Sequence, residues 1–91
     1  MKVYVLSEYG ENPDRDFHYV HGVYQTFLKA QNAMEKEYSD AKERACKSGA
    51  QLDDDYDEFG LWYASFATKG KMPYSDYEVI YHYEIAEMEL E

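Results

Sequence analysis

The 91-residue chain has few of the features that cross-link or stiffen a small protein or direct it to a membrane. It contains one cysteine, two prolines and no long apolar run. The single cysteine, Cys46, cannot form a disulfide within the chain. No apolar run approaches the ~20 residues that a membrane-spanning helix needs. The opening MKVYVLSEYG also lacks the small-residue cleavage site of a secretion signal. We therefore expect a soluble protein of a reducing compartment, the cytoplasm.

Basic residues are also scarce, because nine Lys and Arg stand against 19 Asp and Glu, for a net charge of -10. Residues 27–48 hold five basic and four acidic side chains, so this segment is net +1 and the rest of the chain is -11. Such a field repels phosphates and anionic membranes and attracts basic surfaces. The charge predicts a basic protein as partner, with no direct nucleic acid and no membrane.

Motifs of catalysis are missing as well. The chain has no glycine-rich phosphate loop, nucleophile elbow or metal-hydrolase motif. His18 and His21 stand at an even and an odd position of one predicted strand, so their side chains point to opposite faces. With His82 added, the spacing of the histidines still matches no zinc site. We expect a single domain over residues 1–91 that is not an enzyme, with no catalytic residue, no metal and no cofactor.

The apolar pattern predicts four strands and one helix. The strands are predicted at residues 2–9, 17–25, 60–71 and 75–91. Residues 10–16, GENPDRD, have turn chemistry, and a second turn is predicted around Gly70 and Pro73. Gly22 suggests a bulge in the second strand. In the last strand the apolar residues stand mainly at odd positions up to Ile85 and at even positions from Ala86 onward, which we interpret as a bend of the chain.

The helix is predicted between Thr26, whose hydroxyl can cap its first turn, and Gly49, which can end it in a left-handed conformation. Its apolar positions recur every three or four residues and form one stripe: Phe27, Ala30, Met34, Tyr38, Ala41 and Ala45. The predicted fold class is α+β, with the order β-β-α-β-β and the long helix packed on one face of an antiparallel sheet.

Three stretches, VYVLSEY, HGVYQTFLKAQNAM and the closing EMEL, resemble a pattern in small uncharacterised bacterial and phage proteins. That pattern has an opening strand, a Gly-Val-aromatic strand end, a Thr-capped helix and a final strand. It implies the fold and no activity. As a short, acidic, tyrosine-rich domain, the chain is also similar in class to phage inhibitors such as anti-CRISPR and anti-restriction proteins, some of which imitate DNA.

The acidic stretch QLDDDYDEFGLWY, residues 51–63, has three interpretations. An EF-hand is rejected because Gly60 and Ala64 stand at positions 8 and 12, where the loop needs glycine at 6 and glutamate at 12. Weak cation binding stays open. The composition favours a solvated connector from the helix to the next strand. The third interpretation is a recognition surface.

Our functional hypothesis is a non-enzymatic, phage-type interaction protein that binds a basic surface of a nucleic-acid-handling protein, as a DNA mimic or an anti-CRISPR-like inhibitor. The predicted partner-binding residues combine the acidic stretch with alternating acids of the last strand: Asp53, Asp54, Asp55, Tyr56, Asp57, Glu58, Glu87 and Glu89. The alternative is a small structural or self-associating cytosolic domain, a homodimer paired through an open sheet edge, with no inhibitory role.

Overall fold

A computed structural model describes residues 1–11, 16–69 and 78–90, with the side chains in these ranges except those of Glu11, Asp54 and Glu78. Most of the first predicted turn and the whole of the second lie outside these ranges. The elements are β1 (Lys2–Glu11), β2 (Asp16–Tyr24), α1 (Phe27–Lys47), β3 (Gln51–Phe59), β4 (Tyr63–Lys69) and β5 (Glu78–Glu89). Within the described ranges, no helix is long and apolar enough to cross a membrane.

The strands form one antiparallel sheet in the order β2-β1-β5-β4-β3, and α1 packs on one of its faces. The predicted α+β class, with one long helix on an antiparallel sheet, is confirmed. The sheet has one strand more than the four we predicted, because residues 51–59 form β3. The long central strand β5 lies between β1 and β4, which leaves β2 and β3 as the two edges.

The predicted helix is confirmed at both ends and along its stripe. Thr26 Oγ1 accepts a hydrogen bond from the Lys29 amide at 3.2 Å, and Gly49 adopts a φ of 92°, which favours glycine. The core joins α1 to the sheet through these buried residues: Ala30, Met34, Ala41, Leu6, Ala64, Phe66, Tyr83 and Ile85. Small residues at Ala30 and Ala41 let the helix approach the aromatic side chains of the sheet.

The bulge suggested by Gly22 is present. Leu6 pairs with Gly22 and Ser7 with Val20, so His21 is the extra residue on β2. The bulge changes the direction of the His21 side chain, which reaches Glu8 and Glu37 on the helix side of the sheet. An unbroken alternation along β2 would not have predicted this contact.

The predicted bend near Ile85 and Ala86 is wrong. β5 runs without a break from Glu78 to Glu89 and pairs with β1 without a register shift. Tyr83 and Ile85 face the helix and are buried, whereas Ala86 and Met88 lie on the opposite face and are exposed. The parity change arises because this central strand carries apolar residues on both faces.

The prediction of a solvated connector over the acidic stretch is also wrong, because residues 51–59 form the edge strand β3. Intrinsic propensity disfavours aspartate in strands, but an edge position leaves its side chains in water while β4 supplies backbone partners. The pairing is regular at Gln51 and Leu52 and again from Asp57 to Phe59. Between Leu52 and Asp57 the strand holds three more residues than β4 does, so it bulges outward there.

Candidate protein-binding site on the β3 edge

Strand alternation and the bulge distribute the acidic side chains of β3 over both faces of the sheet. Asp57 points to the helix side, where its carboxylate accepts hydrogen bonds from Lys42 Nζ at 2.6 Å and from the Tyr38 hydroxyl. Lys42 also lies 4.8 Å from the centre of the Tyr38 ring. Asp57 therefore attaches β3 to α1 and is not free to meet a partner.

Asp53 has a local structural role in the bulge. Its Oδ1 accepts a hydrogen bond from the Asp55 amide at 3.0 Å, which is an Asx turn. This turn satisfies a backbone donor that the interrupted ladder leaves unpaired. The Asp54 side chain lies outside the described part. The two remaining carboxylates of the stretch, on Asp55 and Glu58, are exposed, and no basic side chain in the described ranges pairs with either.

Glu87 and Glu89 lie far from the acidic stretch. Asp57 is in line with Tyr81 through the ladder, and six residues along β5 from Tyr81 to Glu87 span about 20 Å. Both acids have nearby partners, since Glu87 pairs with Lys2 at 3.4 Å and Glu89 with the Met1 amino group at 3.0 Å. The structure does not bring these two residues together with residues 53–58.

A pocket of about 410 Å³ opens on the sheet face opposite the helix, beside the bulge of β3. It is lined by Asp55, Tyr56, Glu58, Tyr63, Ser65 and His82. The register brings three strands together here, because Glu58 pairs with Ser65 and Ser65 pairs with His82. Three of the predicted partner-binding residues, Asp55, Tyr56 and Glu58, therefore share one concave site.

The walls of this pocket are aromatic. The His82 ring stacks on Tyr9 with centroids 5.0 Å apart and planes at 18°, and Tyr56 meets His82 edge-on at 6.1 Å. Stacked and edge-on rings restrict one another, so this wall is held in place. Tyr63 also lines the pocket and is 50 % exposed.

Ser65 lines the pocket and is 6 % exposed. Its hydroxyl has no hydrogen-bond partner among the described residues and is not among their buried, unpartnered side-chain oxygens, so it is open to the pocket. An unsatisfied group in a pocket wall is available to a ligand. The pocket thus contains carboxylates, aromatic rings and a hydroxyl.

Sequence reasoning missed Tyr63, Ser65 and His82 as members of the site. The strand pattern places Tyr63 and Ser65 on one face of β4, which is a usable signal. The link from β4 to His82 on one side and Glu58 on the other depends on register, and the sequence gives no local signal for it.

A second polar cluster lies under the helix. His21 Nε2 is 2.6 Å from Glu8 Oε1, and His21 Nδ1 is 3.8 Å from Glu37 Oε2. The Tyr83 hydroxyl is buried beside Glu8 but makes no hydrogen bond of good geometry in the described part of the chain. Burial, and secondarily the negative charges of Glu8 and Glu37, raise the pKa of the Tyr83 phenol above its ordinary value of about 10. The cluster connects β1, β2, β5 and α1.

Among the described side chains, no group of three or more His, Cys, Asp or Glu is placed to hold a metal ion. The Asp57–Lys42 attachment, the part-buried His21 cluster and the acidic pocket are three separate polar features of the described ranges. Comparisons with protein-family models, with curated proteins and with solved structures found no match to this chain.

Proposed function

We propose that the protein is a non-enzymatic interaction module that binds a basic surface of another protein through the β3 edge. The observation that carries this proposal is the exposure of Asp55 and Glu58, which lack basic partners among the described residues, while Asp57 is held by Lys42. Unpaired carboxylates on an edge strand attract cationic surfaces, and net charge of -10 extends that attraction.

The partner in this proposal is a nucleic-acid-handling enzyme or complex in the cytoplasm, of the host if the chain is phage-encoded. Such proteins carry basic surfaces for phosphates, and an acidic module that covers one blocks it. This is an inhibitor of the anti-CRISPR or anti-restriction kind. The described acids are too sparse for a close copy of duplex DNA, which carries a charge about every 1.7 Å of axis. We therefore favour recognition of a local basic site over imitation of a whole duplex.

The test is capture from a nuclease-treated bacterial lysate at about 50 mM and at higher salt, where screening shortens electrostatic range. The variant is Asp55→Asn/Glu58→Gln, which leaves Asp57 and its attachment to Lys42 intact. The control Glu35→Gln/Glu43→Gln removes the same charge from exposed helix positions. The captured protein is identified, purified and titrated against all three forms.

We expect a basic nucleic-acid-handling protein that the wild type and the control bind at low salt. Its affinity should fall at least about tenfold in the β3 variant, since two charge-assisted contacts are lost. Equal affinity of all three forms for that protein, or no basic protein captured by any of them, would show that the β3 edge is not a recognition surface.

The second candidate is self-association through β2, and a different observation favours it. From Phe17 to Tyr24 this edge strand has no Asp, Glu, Lys or Arg, and Tyr19, Val20 and Val23 are 56 %, 62 % and 60 % exposed. An apolar edge without charges lacks the usual protection against pairing. A salt-resistant dimer in sedimentation equilibrium, converted to monomer by Val20→Lys, would support this function, and a wild-type monomer at high concentration would exclude it.

A further inference from the structure

We propose that the pocket beside β3 binds the guanidinium group of an arginine side chain, presented by the basic partner. This inference rests on the proposed function and deepens it, because it names the group that the site recognises. The pocket lies on the face of the sheet away from α1 and is lined by strands β3, β4 and β5.

Charge is the first reason. Asp55 and Glu58 both line the pocket and have no basic partner among the described side chains, whereas Asp57, on the other face, is neutralised by Lys42 at 2.6 Å. The site therefore presents two uncompensated carboxylates around one cavity. A cation is attracted to it and an anion is repelled.

Hydrogen-bonding capacity is the second reason. A guanidinium group has five N–H donors and no acceptor. The pocket offers acceptors in the two carboxylates and in Ser65, a residue 6 % exposed whose hydroxyl has no partner in the described ranges. A ligand rich in donors would give this hydroxyl a hydrogen-bond partner.

The aromatic walls distinguish arginine from other cations. The flat guanidinium group stacks on ring faces and pairs side-on with carboxylates, whereas the lysine ammonium is a compact, strongly hydrated charge. Tyr56, Tyr63 and His82 line the pocket with rings, and the His82 ring is stacked on Tyr9. The volume of about 410 Å³ accommodates the side chain with part of its backbone.

The neighbouring surface fits a protein-borne arginine. A second hollow of about 290 Å³ shares Tyr63 and His82 with the pocket and includes the exposed carboxylate of Glu84. Backbone and side chains on either side of an arginine would lie over this acidic extension. Free arginine-like molecules have the same head group, so the test must separate the two sources.

The test is a titration of the ¹⁵N-labelled protein with Nα-acetyl-arginine amide, followed by amide chemical shifts. Nα-acetyl-citrulline amide has nearly the same shape without the charge, and Nα-acetyl-lysine amide has the charge without the planar group. We expect shifts centred on Glu58, Ser65 and His82, with a Kd on the order of 1 mM for this small ligand. Citrulline should bind at least about tenfold more weakly, and lysine about threefold more weakly.

Two variants and one control complete the design. Glu58→Gln should weaken arginine binding about tenfold, and Ser65→Ala about fivefold, through the lost charge and the lost acceptor. Glu35→Gln on the helix should bind as the wild type does. An unchanged amide spectrum outside the pocket establishes that each variant is folded. Shifts spread over all acidic surfaces, equal binding of citrulline, or unchanged binding by both pocket variants would each overturn the proposal.

The same variants separate this inference from the proposed function. If a basic partner protein binds through Asp55 and Glu58 but is indifferent to Ser65→Ala and to Tyr56→Ala, the edge is a recognition surface and the arginine pocket is wrong. If the arginine probe binds in the pocket while no basic protein is captured, the ligand is a free guanidinium compound, and both the basic-protein function and the protein-borne arginine fail.

Discussion

Lys42 Nζ lies 2.6 Å from Asp57 Oδ2 and thereby connects the C-terminal half of the helix to the acidic edge strand. Their side chains are 24 % and 35 % exposed, so water screens the pair only in part. The Tyr38 hydroxyl donates to the same carboxylate, which gives Asp57 two partners from one helix turn. The contact explains how a strand with five carboxylates stays against the sheet.

We predict that a double-mutant cycle of Lys42→Ala and Asp57→Ala gives a coupling energy of about 1 kcal/mol in the free energy of unfolding. The coupling energy should decrease with added salt, because the pair is partly exposed and ions in solution screen it. The measurement is urea unfolding of the four proteins. The exposed pair Lys36–Asp40, at 3.4 Å, is the control and should couple by only a few tenths of a kcal/mol. Equal coupling of the two pairs would show that the contact between Lys42 and Asp57 stabilises the fold no more than an exposed ion pair does.

The helix and most of the sheet could be predicted from sequence because their signals are local. The cap at Thr26, the stripe through Met34 and the left-handed Gly49 are all visible within a few residues. The strand β3 could not be predicted, because its stability comes from pairing with β4 and from Lys42. These contacts are distant in sequence, and tertiary contacts override the low strand propensity of aspartate.

The candidate site was predictable in part for the same reason. Asp55, Tyr56 and Glu58 belong to one short stretch, and its acidic composition is visible in the sequence. Ser65 and His82 join them only through the register of β3, β4 and β5, which a sequence does not display. Glu87 and Glu89 share only their charge with the site, and the length of β5 keeps them about 20 Å away.

We predict that His21→Ala lowers the free energy of unfolding by about 2 kcal/mol. The change removes the partner of Glu8, whose side chain is only 11 % exposed, and leaves a carboxylate with few routes to water. His21→Gln, which keeps a donor, should cost less. His18→Ala on the same strand is the control, because His18 pairs with no carboxylate among the described residues. A loss no larger than that of the control would mean that Glu8 is solvated without His21.

Gly10→Ala should destabilise the fold by more than about 2 kcal/mol. A methyl group at this position would meet the carbonyl oxygen of Ile80 on β5 and the ring of Phe17 on β2. The carbonyl belongs to the sheet backbone and cannot rotate away. Gly60→Ala is the comparison, since its methyl group would meet mainly the Tyr63 ring, which is half exposed and able to move. Thermal unfolding monitored by circular dichroism measures both variants, and equal losses would contradict the predicted crowding at Gly10.

Tyr83→Phe should stabilise the protein, and increasingly so at alkaline pH. At neutral pH the change removes a buried hydroxyl that lies beside Glu8 without a hydrogen bond of good geometry among the described residues, and we expect a gain of about 1 kcal/mol. Burial, with the charges of Glu8 and Glu37, raises the pKa of Tyr83 in the folded state. Above pH ~10 the unfolded chain therefore loses this proton while the native protein keeps it, so the native state binds more protons and its stability falls as pH rises.

The slope from this one group is about 1.4 kcal/mol per pH unit between the two pKa values. The variant lacks this contribution, so its advantage over the wild type should widen from pH 10 to 11. Urea unfolding at pH 7, 10 and 11 measures the difference, with Tyr19→Phe as control because Tyr19 is 56 % exposed. A variant less stable than the wild type at pH 7 would mean that the Tyr83 hydroxyl makes a stabilising hydrogen bond. A constant difference across the three pH values would mean that the phenol ionises equally in both states.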